Sequence, residues 1–257
     1  MTDAPPDLNL DPTKGAYVAS FGPKGTGKSE LNKRLFVTYP FDGLLIDHTG
    51  DVDPGNQFTE PLPPALLEIA QRLRVEKGAE PPNPDAFKDE VDAAWRDPKA
   101  PNRMRKFRYV PNTLADDWLE RQDLVVGLAY VHGLTDIFHD EVNHDAPAGQ
   151  TPRWTRACLH MGRHRQLSEG MAGPRPTGIE PLVVSQADVV TIHGPLHERD
   201  VARLAAQFHM STAELLRLIS ELEQYGYLAF FPAEREIQVR PALPPPSRKV
   251  SQPPASA

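Results

Sequence analysis

The sequence has one cysteine, Cys158, and this excludes an intramolecular disulfide framework. No apolar run approaches the roughly 18–20 residues that a membrane-spanning helix requires. The N-terminus, Met1-Thr2-Asp3-Ala4-Pro5-Pro6, lacks the basic and apolar regions of a secretory signal, so a cytoplasmic location is expected. Positive charge is also short: 28 Lys and Arg stand against 35 Asp and Glu, a net charge of -7. That balance excludes a protein that coats nucleic acid by charge alone, but leaves room for a local basic channel built by several subunits. The nine histidines show neither H-E-x-x-H spacing nor a Cys/His ligand pattern, and there is no internal repeat.

Proline is abundant but unevenly placed, with 28 in all and clusters at 5–12, 61–64, 81–84 and 241–246. Residues 1–13 read as a flexible arm and 241–257 as a disordered proline-rich tail, because neither has enough apolar content to offset the entropy of ordering it. The folded part is then 14–240, with 197–240 a smaller extension of two helices and a hairpin.

Ala16 to Phe21 reads as a strand and Lys28 to Thr38 as a helix with Leu31, Leu35 and Phe36 inward. Gly43 to Asp47 is continuously apolar up to its last residue, as in a parallel sheet covered on both faces. Helices are expected at Pro64–Lys77 and Pro84–Trp95, then a basic patch of Arg103, Arg105, Lys106 and Arg108. A strand at Phe107–Val110, a helix at Leu114–Val131 and a strand at Leu134–Asp140 follow. Beyond these come a helix at Pro152–Arg165, a strand at Ala187–Ile192, helices at Glu198–His209 and Ser211–Tyr225, and the short runs Tyr227–Phe231 and Ile237–Val239. The alternation predicts an α/β fold with a mainly parallel sheet flanked by helices.

Between the first strand and first helix stands Gly22-Pro23-Lys24-Gly25-Thr26-Gly27-Lys28-Ser29, which fits G-x-x-x-x-G-K-[ST] at every fixed position. Glycines let the backbone close round phosphate with its N–H groups inward, and the helix N-terminus adds positive potential. The motif assigns ATP and Mg²⁺ as ligands, with Lys28 on the β- and γ-phosphates and the Ser29 hydroxyl on Mg²⁺. Asp140 and Glu141, at the end of a second buried strand, are the expected Mg²⁺-shell carboxylate and the catalytic base.

With the P-loop, the strand ending in Asp47 and the Asp140-Glu141 pair in place, Met161-Gly162-Arg163-His164-Arg165 resembles the Gly-Arg-His segment of the FtsK/HerA superfamily of ring-forming DNA-translocating ATPases. Arg175-Pro176, Ser185-Gln186-Ala187-Asp188-Val189-Val190 and His197-Glu198-Arg199-Asp200-Val201-Ala202-Arg203-Leu204 continue the resemblance, which covers about residues 15–240. It implies a RecA-like P-loop NTPase core in a homo-oligomeric ring acting on double-stranded DNA, similar to small viral genome-packaging ATPases, with a cytoplasmic or virion-associated location. It also implies Arg163 as an arginine finger for a neighbouring subunit's ATP. The chain departs from the family at its sensor strand: Gly173-Pro174-Arg175-Pro176 stands where Thr-Gln-Arg-Pro is usual, and proline cannot orient a water. The preceding Ser168 to Ala172 reads as too polar for a buried central strand.

Two other functions are compatible with the residues. Val201 to Leu216 is spaced like a helix-turn-helix, with the turn around Pro232–Glu236 as a wing, although Ser211–Tyr225 carries Glu214, Glu221 and Glu223 against Arg217 alone. A nucleotide-dependent assembly factor acting on capsid or membrane-complex proteins is the other.

Overall fold

In the computed structural model the described residues are 8, 10–48, 50, 60–74, 82–100 and 103–243. β1 (Tyr17–Phe21) is buried along its whole length, as its unbroken small and apolar run requires of a strand covered on both faces. α1 (Lys28–Thr38) follows with Leu31, Leu35 and Phe36 facing the sheet, and β2 (Asp42–Ile46) completes the first βαβ unit.

Next come β3 (Glu60–Pro61), α2 (Pro64–Arg72), α3 (Lys88–Trp95), β4 (Lys106–Tyr109), α4 (Trp118–His132) and β5 (Thr135–His139). α5 (Val142–Asp145), α6 (Arg153–Met161), β6 (Ser168–Gly173), α7 (Pro181–Ser185) and β7 (Val189–Ile192) continue the chain. α8 (Glu198–Gln207), α9 (Thr212–Ser220), β8 (Tyr227–Phe231) and β9 (Glu236–Arg240) close it. Among the described residues the strands form one nine-stranded sheet in the order β3-β4-β2-β5-β6-β1-β7-β8-β9. From β3 to β7 all neighbours are parallel, and β8 and β9 add an antiparallel edge. The expected α/β class is therefore the observed one.

Two apolar clusters lie on the face covered by α2, α3, α4 and α6 and by α7, α8 and α9; the third lies under α1. Leu8, inside the expected flexible arm, is 1% exposed and belongs to this third cluster, with Leu10 and Leu243 packed beside it. The arm is thus pinned at Leu8 and Leu10: α1 alone does not cover that face, and apolar side chains from both ends fill the remainder. The expected tail beyond residue 243 lies outside the described residues.

The largest correction concerns β6. Its six residues, Ser-Glu-Gly-Met-Ala-Gly, are all buried, and the strand sits at the centre of the sheet between β5 and β1. A polar composition is tolerated there because each position has a local reason. A Cβ at Gly170 would lie 2.2 Å from the Phe138 ring, so glycine is what lets that ring lie on the strand. The Ser168 hydroxyl accepts from Ala16 N at 3.2 Å. Glu169 is buried beside Tyr17 and His139, and burial raises its carboxyl to about 7, which favours the neutral form.

Smaller differences are local. The helix expected over Pro64–Lys77 ends at Arg72, and residues 75–77 lie outside the described residues. Pro84–Phe87 is a 3-10 turn capped by the Asn83 side chain rather than part of α3. The Pro152–Arg165 helix tightens to 3-10 geometry at Gly162–Arg165, and the last helix stops at Ser220. The Pro232–Glu236 turn connects β8 to β9 within the main sheet, so it is not a free wing; α9 packs on β8 and α8.

Candidate nucleotide site

Parallel strands leave their loops on one edge, and the C-terminal ends of β1, β5, β2, β6 and β7 bring the site together there. Gly22 leaves β1 so close to β7 that a Cβ would lie 2.2 Å from the His193 carbonyl oxygen. Gly25 and Gly27 hold φ of 81° and 99°, left-handed values that a side chain would strain, and the loop then feeds directly into α1. Thr26 Oγ1 donates to the Pro23 carbonyl at 2.8 Å and braces the turn. Lys28 is 5% exposed, its Nζ 3.5 Å from the Pro23 carbonyl inside the loop it is expected to serve.

β5 delivers the acidic pair. Asp140 follows the strand, donates its N–H to the Ile46 carbonyl at 3.1 Å and is largely buried. Burial raises its carboxyl, while a hydrogen bond from Ser29 and the charge of Lys28 oppose that rise. Glu141, the next residue, is half-buried at the start of α5, and its carboxyl is raised chiefly by burial, with Lys28 again opposing. Sequence positions 28, 29, 140 and 141 therefore meet at one place. An ammonium for phosphate, with a hydroxyl and a carboxylate in contact with each other, is the hard-oxygen donor set that suits Mg²⁺ bound to a triphosphate.

The two polar residues that interrupt β5 have buried partners. Asp136 is 3.6 Å from Lys106, and burial raises its carboxyl to about 7. His139 Nδ1 is 2.6 Å from Asp145 Oδ2, while Asp145 Oδ1 is 2.5 Å from His48 Nε2 and accepts from Gln122 Nε2 at 2.5 Å. Burial alone would raise Asp145, but the facing His139 and His48 outweigh it and hold the carboxyl well below the usual range. This network braces the turn after β5 against the loop after β2.

The expected basic patch is mostly internal. Arg105 pairs with Glu60 at 2.7 Å, Lys106 is buried, and Arg108 grips the fully buried Asp47 at 2.5 Å. Arg103 is the exposed cation of the four. Arg163 lies on the opposite edge of the sheet from its own P-loop. It donates to the carbonyls of Gly15 and Gln186, pairs with Asp188 at 3.0 Å and covers the Tyr17 ring at 4.5 Å. A strand of five residues, about 16 Å, separates those anchors from the phosphate loop, so any action on phosphate has to be on another subunit's nucleotide. Arg175, by contrast, lies at the P-loop edge just after β6, its Nε 3.0 Å from Asp200, whose other oxygen accepts from Thr177.

Three residues near the site were not anticipated. His193, after β7, is buried under the P-loop; its Nε2 is 3.0 Å from Thr191 Oγ1 and its ring stacks on Tyr227 at 5.0 Å. Burial, with Lys28 adding to it, pushes the imidazole down to about 3, so it is neutral. Asn143 donates to the Arg175 carbonyl at 3.2 Å, beside Pro174. Tyr225 borders the P-loop across a cavity. A lone histidine after an apolar strand and a tyrosine in a polar turn carry no motif; their placement follows from β7 and β8 joining the sheet next to β1.

A glycine-rich phosphate loop between β1 and α1, with the acidic strand two places away across β6, defines the class: an α/β P-loop NTPase. Among solved structures the chain is similar to the genome packaging NTPase B204 from Sulfolobus turreted icosahedral virus 2 in complex with ATP-gammaS, at 16% identity and a TM-score of 0.60, over 91% of this chain and 100% of that one. The AMP complex of the same protein gives 17% identity, 0.59, and 91% and 99% coverage. The DNA-packaging ATPase B204 from Sulfolobus Turreted Icosahedral Virus gives 15%, 0.56, and 88% and 97%. No protein-family model matches the sequence, and no curated protein does. The expected likeness to viral genome-packaging ATPases therefore holds at the level of the fold. Among the described residues no helix is long and apolar enough to cross a membrane.

Proposed function

We propose that this chain is an ATPase that hydrolyses Mg-ATP at the Gly22–Ser29 loop and, as a homo-oligomeric ring, moves double-stranded DNA in genome packaging or DNA transfer. The observation that carries the reading is the convergence of Lys28, Ser29, Asp140 and Glu141 on one edge of the sheet. The backbone N–H groups of residues 25–29 and the Lys28 ammonium would hold the phosphates. Bound Mg²⁺ would supply charge neutralisation at the β- and γ-phosphates, held by Ser29 directly and by Asp140 through its water shell. With Asp140 turned to the ion, the adjacent Glu141 carboxylate orients the attacking water and takes its proton. Arg163 enters only in trans, and would have to exchange Asp188 for a neighbouring subunit's γ-phosphate. The likeness to B204 supports the packaging reading, and the location would be cytoplasmic or in the virion.

The internal pairing of Arg105, Lys106 and Arg108 favours one second reading, a nucleotide-dependent assembly factor whose partner is a capsid or membrane-complex protein. The base assignment is tested by single-turnover hydrolysis. Glu141→Gln is expected to bind ATP like the parent and to hydrolyse it at least about 100-fold more slowly, the order of effect of a positioned general base; equal turnover removes Glu141 from the mechanism.

A further inference from the structure

A triphosphate lying along the P-loop runs from Lys28 at its β,γ end to the backbone of the first helical turn at its α end, so the nucleoside emerges past Ser29 and Glu30. At that point the structure has a cavity of about 640 Å³, bordered by Lys28, Ser29, Glu30, His193, Tyr225 and Leu243. Its size is that of a small-molecule site, and its walls are chiefly aromatic and aliphatic.

Two features of these walls suit a planar ligand. Tyr225 is half-exposed, with φ of 65°. A bulky residue in that left-handed region is strained where glycine or asparagine would be strained less. The fold nevertheless keeps a tyrosine there, against the P-loop. His193, buried and neutral with the Thr26 backbone beside its ring, adds an uncharged aromatic surface to the same wall. The other polar groups on the wall are engaged: Lys28 and Ser29 face the phosphates, and Glu30 accepts from Arg34 Nε at 2.9 Å.

We infer that this cavity is the nucleobase site of the ATPase proposed above, with Tyr225 as the platform on which a purine stacks and Leu243 covering its far side. Because recognition is by stacking and shape, the pocket selects purine over pyrimidine and separates adenine from guanine poorly. The inference rests on the phosphate-loop reading, but it assigns the base to residues that the P-loop motif does not contain.

The test is titration calorimetry of the full chain with the Mg²⁺ complexes of ATP, GTP, CTP and inorganic triphosphate, for the parent, Tyr225→Ala and Tyr225→Phe. Tyr225 is half-exposed, so neither change should unfold the chain. The parent should bind ATP and GTP within about threefold of each other and CTP about tenfold more weakly, as expected for loss of stacking area. Tyr225→Ala should weaken ATP about tenfold and leave inorganic triphosphate unchanged, while Tyr225→Phe keeps parental affinity. An unchanged ATP affinity in Tyr225→Ala, or an equal loss for inorganic triphosphate, overturns the base pocket and leaves the phosphate site standing. A parent that binds neither ATP nor inorganic triphosphate overturns the phosphate site and the pocket with it.

Discussion

The Phe138 ring lies in the space that a side chain at Gly170 would occupy, so that the strand carrying the acidic pair and the strand beside the P-loop touch through one ring and one missing methyl group. Phe138 also meets Phe36 of α1 edge-on at 5.4 Å, and the contact therefore links the Asp140 strand to the P-loop helix. Gly170→Ala should destabilise the chain by about 1–3 kcal/mol through overpacking. Phe138→Leu in the same chain should recover part of that loss; thermal melts of the two single variants and the double variant measure the coupling.

Asp145→Asn should be strongly destabilising, because it removes the buried charge that His48 and His139 face and leaves one acceptor oxygen where His48, His139 and Gln122 share two. A loss of about 3 kcal/mol is expected. Asp145 is held below its ordinary value of 3.8, so its contribution is fully present above that pH and is lost as pH falls further, through the folded-state value. Burial alone would lower His48, but Asp145 outweighs it and raises the imidazole, so that share of the stability is present below 6.5 and is lost as pH rises through the folded-state value. The gap between parent and variant should be widest between 3.8 and 6.5 and narrow on either side, which denaturant titrations across the acid and neutral range will show.

Glu169 has the opposite sign. Its carboxyl is raised from 4.5 to about 7, so the neutral form is the one the fold favours; its contribution is present below 4.5 and is lost as pH rises toward 7. Glu169→Gln should leave stability unchanged at pH 4 and raise it at pH 8, on the order of 2 kcal/mol. A variant less stable than the parent at pH 8 would mean that the charged carboxylate has a partner the fold depends on.

Arg108→Ala should cost about 2 kcal/mol, because it strips the buried Asp47 of a charge-assisted pair. If DNA binds, its salt dependence should not change with this variant, whereas Arg103→Ala should lower the slope of log affinity against log salt by about one. Filter binding at a series of salt concentrations separates the two.

The phosphate loop, β1, α1 and β2 were legible in the sequence because their signal is local: a glycine spacing, a buried run and a helical period within about thirty residues. Asp140 and Glu141 were legible by the same means, as acidic residues ending a strand. β6 was not, because its burial depends on partners brought in from β5 and β1, with Phe138 filling the place of a side chain and Tyr17 and His139 surrounding Glu169. Leu8 was missed for a related reason: one leucine in a proline-rich segment has no period, and only the face left open beside α1 gives it a place. The basic patch misled because charge in a sequence does not show that Glu60, Asp136 and Asp47 face it. His193 and Tyr225 reach the nucleotide edge only through the order of strands in the sheet.

The central claim is that ATP turnover drives work on DNA, and steady-state ATP hydrolysis by the purified chain, with and without linear double-stranded DNA at low and moderate salt, tests it most directly. DNA should raise the rate, moderate salt should remove the increase, and Lys28→Ala should abolish turnover in every condition. Hydrolysis that is absent, or indifferent to DNA, would contradict the motor reading and leave Pro174, where the resemblance implies a sensor amide, as the feature to explain.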